Sequence, residues 1–161
     1  MITIVPVKTE EIGLLSMIAS EIVKEHFDPI IGPEQNDYMI RMFQSVSSIR
    51  EQFEKGYRYY FVKNGDTVVG FLAFYPKGDV LYLSKFYLYK DERGKGYAKQ
   101  MLAFTVQAAK DAGLQAVELN VNRNNSAVQA YEKMGFIKVR EEVNDIGCGF
   151  VMDDYVFRYT V

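Results

Sequence analysis

The run Phe86-Tyr-Leu-Tyr-Lys-Asp-Glu-Arg-Gly-Lys-Gly-Tyr-Ala98 holds the residues best suited to chemistry in this chain. It is β-prone at first, then polar with two glycines, then the start of an amphipathic run. Gly94 and Gly96 let a backbone turn and approach a ligand with no Cβ in the way. The turn feeds the predicted helix from Tyr97, whose first amides have no intrahelical acceptor. Those N–H groups and the positive end of the helix dipole form an anion site. Arg93 and Lys95 add charge to it. The chemistry implied is the gripping of a phosphate or pyrophosphate. A dinucleotide fingerprint would need a third spaced glycine and an acid further on. A P-loop would need Ser or Thr after Gly-Lys, and Gly96 stands there.

Such a cradle needs a strand before it and a helix behind it. Val80 to Tyr89 reads as the strand. Tyr97 to Ala112 reads as the helix, apolar at Met101, Leu102, Val106 and Ala109, with Gly113 placed as its C-cap. Upstream, Ile2 to Val7 alternates as a strand, and Thr9 is placed to cap a helix through Ile12, Leu15, Ile18, Ala19 and Ile22. Pro29 and Gly32-Pro33 predict that this helix stops near His26. Glu34 to Gln44 is a second helix and Ser48 to Lys55 a further helical stretch. Tyr57 to Lys63 and Thr67 to Tyr75 are strands joined at Asn64-Gly65. Downstream come a strand at Ala116 to Val121, a short helix at Ser126 to Met134, and strands at Phe136 to Val143 and Tyr155 to Val161, linked through Gly147-Cys148-Gly149. The coarse order β-α-α-β-β-β-α-β-α-β-β gives an α/β chain of the α+β type, a mixed sheet with helices on its faces. The strands on either side of the Tyr97 helix are expected to be parallel.

The chain has 161 residues, 48% of them hydrophobic, so one domain over 1–161 with a real core is expected. Net charge is −2, without the basic excess of a nucleic-acid binder. No apolar run is long enough to span a membrane. The lone Cys148 excludes an internal disulfide and fits a reducing compartment. Met1 leads into Ile2-Thr-Ile-Val-Pro without a basic or apolar leader, so a cytoplasmic protein is expected.

Arg93-Gly-Lys-Gly-Tyr-Ala98 matches the pattern Arg/Gln-x-x-Gly-x-Gly/Ala. Asn124-Asn-Ser-Ala127 followed by Tyr131-Glu-Lys-Met-Gly-Phe136 matches Asn-x-x-Ala-x-x-x-Tyr-x-x-x-Gly-Phe. Together, in this order, they resemble the GNAT superfamily of N-acetyltransferases. The resemblance is close from Tyr57 to Val161; the first 56 residues match only in general layout. It implies a GNAT-like three-layer fold whose central mixed, mostly antiparallel sheet has about seven strands, with helices flanking it and one parallel pair splayed apart. It implies acetyl-CoA as co-substrate and no metal. Main-chain groups across Phe86, Tyr87 and Leu88 would bind the pantetheine arm, as an added strand would pair. Amides from Gly94 through Lys95, Gly96 and Tyr97 to Ala98 would hold the pyrophosphate beside Arg93, and Asn124 would touch the CoA arm.

Tyr131 would lie near the thioester sulfur and protonate the leaving thiolate, a task that suits a neutral phenol at pH 7. The resemblance implies direct attack by a neutral amine, with the N–H near Leu88 stabilising the oxyanion. Many relatives carry a glutamate base on the strand before the loop, where this chain has Ser84 and Lys85. Glu118, Asn120 or Asp153 could instead order a water. Phe27, Ser84, Asn120 and Asp153 are the candidate acceptor residues. His26 reads as a helix-end histidine, and Cys148 has no basic partner that would activate it. The acceptor is a small-molecule amine or a peptide or protein amine, and a homodimer stays open. A non-catalytic acyl-CoA-binding regulatory module is the rival function.

Overall fold

The computed structural model describes residues 2–161. Its elements are β1 (Ile2–Pro6), α1 (Ile12–Ile31), α2 (Pro33–Phe43), α3 (Val46–Glu54), β2 (Arg58–Asn64), β3 (Thr67–Lys77), β4 (Val80–Leu88), α4 (Tyr97–Asp111), β5 (Ala116–Asn122), α5 (Ala127–Lys133), β6 (Ile137–Gly147) and β7 (Phe150–Thr160). One seven-stranded sheet runs in the order β1-β2-β3-β4-β5-β7-β6. β1–β2, β2–β3, β5–β7 and β6–β7 pair antiparallel. The β4–α4–β5 crossover gives the expected parallel pair, registered at Val80↔Ala116, Leu81↔Val117 and Tyr82↔Glu118. No helix among the described residues is long and apolar enough to cross a membrane.

The chain divides into two compact units, Met1–Tyr75 with Lys85–Phe104, and Pro76–Ser84 with Thr105–Val161. In the first, Ile12, Leu15, Ile18, Ala19 and Ile22 line one side of α1 and pack with Ile49 against Phe61, Phe71 and Ala73. Burying each large side chain contributes roughly 1.5–3 kcal/mol. In the second, Val117 and Leu119 of β5 and Val156 and Phe157 of β7 are buried.

Several boundaries differ from the sequence expectation, among them α3, which starts at Val46 behind the Ser45 cap and not at Ser48. Thr9–Glu11 is a 3-10 turn, and α1 begins after it at Ile12. Glu11 holds that turn by accepting from the Lys8 N–H at 3.0 Å. α1 also runs through Pro29 to Ile31. Proline removes one amide donor and crowds the preceding turn, yet the Gly32 N–H still reaches the Asp28 carbonyl at 3.0 Å. Asn36 of α2, fully buried, braces this end of α1 by donating to the Val23 carbonyl at 3.1 Å and to Asp28 Oδ1 at 2.7 Å. The helix stops at Gly32, whose φ of 87° and ψ of 148° suit glycine alone, and Pro33 opens α2 at a position where its missing N–H costs nothing. Finally, β6 and β7 extend right up to their turn, so residues expected in a loop belong to an 11-residue strand on each side. Cys148 (φ 54°) and Gly149 (φ 79°) form that turn, the left-handed pair a two-residue hairpin requires.

Gly70 on β3 governs how closely this strand can approach the end of β4. A Cβ there would lie 2.2 Å from the Tyr87 carbonyl oxygen and 3.1 Å from the Leu88 Cα. Only glycine permits that approach. Gly70→Ala is therefore expected to destabilise the protein by about 2–3 kcal/mol, as overpacking against backbone does. Gly13→Ala, in α1 with nothing within 4 Å of its Cβ, should be neutral or stabilising by up to ~1 kcal/mol. Paired denaturant titrations check both; equal midpoints for the two variants would contradict the packing argument.

Candidate functional site

Beyond β4 the chain makes a 3-10 turn at Lys90–Glu92, then the glycine turn, then α4. Gly94 has φ 77° and Gly96 φ 82°. No atom lies within 4 Å of where either Cβ would be. Glycine is thus required here by handedness, and the space beside the turn is open. The amides of the first turn of α4 have no i−4 carbonyl to bond. This arrangement fits a diphosphate. Arg93 does not simply add charge to the turn, because its Nη2 donates to the Leu88 carbonyl at 3.2 Å and ties the loop to the end of β4. Lys95 forms an exposed pair with Glu92 at 3.2 Å, worth little by itself. Tyr97 is buried, and its hydroxyl accepts from Asn64 Nδ2 at 3.3 Å.

Alternate residues at the end of β4 are tied to the N-terminal helices. The Tyr89 hydroxyl donates to Glu21 of α1 at 2.7 Å. Tyr87 meets Phe27 edge to face at 6.1 Å, and Phe27 meets His26 at 4.7 Å. Lys85, only 5% exposed, donates to the Phe43 carbonyl at 2.7 Å, to Gln44 Oε1 at 2.8 Å and to Gln52 Oε1 at 3.2 Å. Its Nζ stands 5.1 Å from the centre of the Tyr59 ring. Burial pushes its ammonium down to about 7, against the pull of three acceptors that favour the protonated form. The sequence singles out Lys85 only as the residue standing where a glutamate was sought. Its partners lie far away in the chain, so no local signal announces them.

In the second unit, Tyr131 of α5 is nearly buried, with Phe136 edge-on at 5.6 Å and Phe157 at 6.4 Å. The turn before α5 explains the Asn-rich run. Asn122 Oδ1 accepts from the Asn124 N–H and Asn125 Oδ1 from the Ala127 N–H, both at 2.9 Å. Asn125, not Asn124, therefore holds the first turn of α5, and Asn124 is exposed. Past the helix, the left-handed Gly135 (φ 104°) lets the Phe136 N–H return to the Tyr131 carbonyl at 3.0 Å.

Asn120 is the centre of a polar network. Its Oδ1 accepts from the Tyr82 hydroxyl at 2.8 Å, and its Nδ2 donates to Glu142 at 3.1 Å and Asp154 at 3.3 Å. Asp153 points elsewhere, pairing with Arg123 at 2.8 Å, as side chains alternate along β7. Glu118 sits between Arg158 at 3.3 Å and Arg140 at 3.5 Å. Ser84 is half-buried on β4. Sequence reading thus names Asp153, whereas the carboxylate beside Asn120 is Asp154, which lies one residue along and could be told from its neighbour only by strand register.

Asp154 is 2% exposed, and burial raises its carboxyl above the ordinary 3.8. A raised folded-state value means that the folded chain holds its proton longer than the unfolded one, so this group's contribution falls as pH rises upward from about 4. Asp154→Asn should gain stability relative to wild type over that rise. Melting temperatures of both proteins at acid and neutral pH measure it, and a variant that loses ground to wild type toward neutrality would refute the sign.

Comparison with known proteins bears on the whole arrangement. The chain is 45% identical over 56 residues to an uncharacterized N-acetyltransferase (YycN) of Bacillus subtilis, a match covering 34% of this chain and 36% of that protein. Its fold is shared with a PaiA N-acetyltransferase of Thermoplasma acidophilum crystallised with coenzyme A, at TM-score 0.79 and 22% identity over 100% of this chain and 99% of that one. It is shared too with a GNAT acetyltransferase of Elizabethkingia anophelis holding acetyl-CoA, at TM-score 0.69 and 14% identity over 99% and 98%. The acetyltransferase (GNAT) domain family matches residues 27–153, a span that takes in the left-handed glycine turn, α4 and the Asn-rich turn before Tyr131, so the chain belongs to the GNAT acetyltransferase family.

Proposed function

We propose that residues 1–161 act as one acetyltransferase domain that moves an acetyl group from acetyl-CoA to a primary amine. The observation that carries this reading is the Gly94–Gly96 turn, left-handed at both glycines and open on its outer side, at the head of α4. Oriented amides and a helix dipole are what a diphosphate needs. In this reading Gly94 to Ala98 hold the pyrophosphate through their N–H groups. Arg93 fixes the turn through the Leu88 carbonyl. Phe86, Tyr87 and Leu88 offer main-chain groups to the pantetheine arm, and Asn124 touches the same arm from its exposed position. Acetyl-CoA supplies an activated thioester. The amine nitrogen forms the new bond to the acetyl carbon as the carbon–sulfur bond breaks. An N–H near Leu88 steadies the oxygen that gains charge, and Tyr131 gives its phenolic proton to the departing sulfur. The amine's own proton leaves to water, with Asn120 and Asp154 as the polar groups that could order that water. Phe27, Ser84 and Asp153 remain the residues proposed to meet the acceptor, which is a small-molecule, peptide or protein amine. The site of action is taken to be the cytoplasm.

The test has two parts. Calorimetric titration with acetyl-CoA should show saturable binding, and a panel of amines should release free thiol from it. Tyr131→Phe keeps the ring and its contacts with Phe136 and Phe157, so stability should fall by no more than about 1.5 kcal/mol, the net worth of one hydrogen bond. Affinity for acetyl-CoA should hold, while turnover falls by roughly 100-fold or more, the usual weight of a general acid. Undiminished turnover would remove Tyr131 from the reaction. Binding without turnover on any amine would favour a regulatory acyl-CoA-binding module.

A further inference from the structure

Lys85 is a buried titratable group that the proposed transfer does not use. Its Nζ reaches three oxygens on two different helical segments. The Phe43 carbonyl and the Gln44 side chain belong to the C-terminal end of α2, and Gln52 belongs to α3. An ammonium has three donors, and here each has an acceptor. A cation at a helix C-terminus also meets the negative end of the dipole. The ring of Tyr59 supports the same charge from β2. The network extends outward. Ser16 of α1 donates to the Gln44 carbonyl at 2.5 Å, Gln52 Nε2 donates to the Phe43 carbonyl at 3.2 Å, and the Tyr59 hydroxyl donates to Gln52 Oε1. One amine on β4 thus joins elements that are about forty residues away in the chain.

We propose that Lys85 is a positioning residue, which fastens the α2–α3 turn and α3 to β4 and so fixes the helical cover beside the strand that holds acetyl-CoA and its acceptor. The functional half of this rests on the acetyl-transfer reading; the structural half does not. Two residues further along β4, Tyr87 packs on Phe27, a residue proposed to meet the acceptor.

The proton on Lys85 provides a signature that a merely structural contact would lack. With the turn closed, burial holds the amine near 7; with the turn open and hydrated it returns to about 10.4. Below about 7 both forms hold the proton and closure bears the whole of that difference; between about 7 and 10 the open form keeps a proton that the closed form has lost, so closure is favoured progressively as pH rises. The groups that face the amine do not confuse this profile. β2 contributes Tyr59, which burial keeps neutral far above that range, and α2, α3 and their turn contribute a carbonyl and two amides. The Ser16 hydroxyl of α1 reaches the network through Gln44.

Hydrogen exchange on the full chain reads the latch directly. Peptides covering residues 43–52 should exchange roughly tenfold or more faster in Lys85→Met than in wild type, because stranded buried acceptors are costly. After correction for intrinsic rates, wild-type protection of these residues should rise between pH 7 and pH 9, and the variant's should stay flat. Gln44→Leu, which keeps the amine, should show a smaller loss, so the result does not hang on one variant folding. Unchanged exchange in Lys85→Met, or equal pH slopes in the two proteins, overturns the proposal. For the functional half, Lys85→Met should bind acetyl-CoA within about threefold of wild type and lose roughly tenfold or more in kcat/KM for the amine, since mispositioned cover costs rate more than cofactor binding. Equal kcat/KM would overturn the positioning role. Failure of wild type to take up acetyl-CoA would instead sink the transfer reading, with the exchange result still deciding whether Lys85 is the latch.

Discussion

The carbonyl of Tyr87 occupies space that any side chain on Gly70 would need. This one close approach sets where the end of β4 lies, and the surrounding contacts reinforce it. The Tyr89 N–H donates to the Val69 carbonyl at 2.9 Å, and Arg93 holds the Leu88 carbonyl. Lys85, Tyr87 and Tyr89 use their side chains on the N-terminal helices. A strand held along its edge by glycine packing and on one face by alternating side chains has little freedom to shift. Rigid placement of this kind is what reacting groups need, because small displacements are expensive in rate.

Buried polar residues recur at the joints of the molecule, and each makes two or more hydrogen bonds, although the Asn36 Oδ1 has no partner among the described residues. Asn36 steadies the end of α1 around Pro29, Lys85 gathers the α2–α3 turn, and Asn120 binds Tyr82, Glu142 and Asp154. A polar group left unmatched in such surroundings costs more than its hydrogen bonds return when made. The joints are therefore selective: each tolerates its own geometry and penalises near alternatives. Hydrophobic contacts, being non-directional, could not confer the same selectivity on α1, α2 and α3.

Legibility in the sequence divides along physical lines. The glycine turn, α4 with its Gly113 cap and the Asn64-Gly65 hairpin are written in local signals, because handedness and helical period act over a few residues. The Gly113 N–H indeed returns to the Lys110 carbonyl at 3.0 Å. The continuation of α1 through Pro29 was not legible, since its brace comes from Asn36 on another helix. The full length of β6 and β7 was hidden for another reason. Past Val143 the run Asn144-Asp-Ile-Gly147 has a single apolar residue and no alternation to read, and β6 is an edge strand, exposed along nearly its whole length. At the candidate site, the residues that make a motif were readable, but their partners were not. Arg93 turning to Leu88, Asn125 accepting from the Ala127 N–H at the start of α5, and Asp154 meeting Asn120 all depend on register and tertiary approach.

The β6–β7 hairpin ends in a left-handed turn that asks for Asn or Gly at its first position. The chain presents its sole thiol there instead, on exposed Cys148 with φ 54°. The backbone bears about 1 kcal/mol for that choice. The sulfhydryl so displayed is open to oxidants and to maleimides from the solvent side. Any assay that counts liberated sulfhydryls will accordingly register one equivalent from the protein itself, and a fluorophore attached at this point would report on the hairpin tip alone.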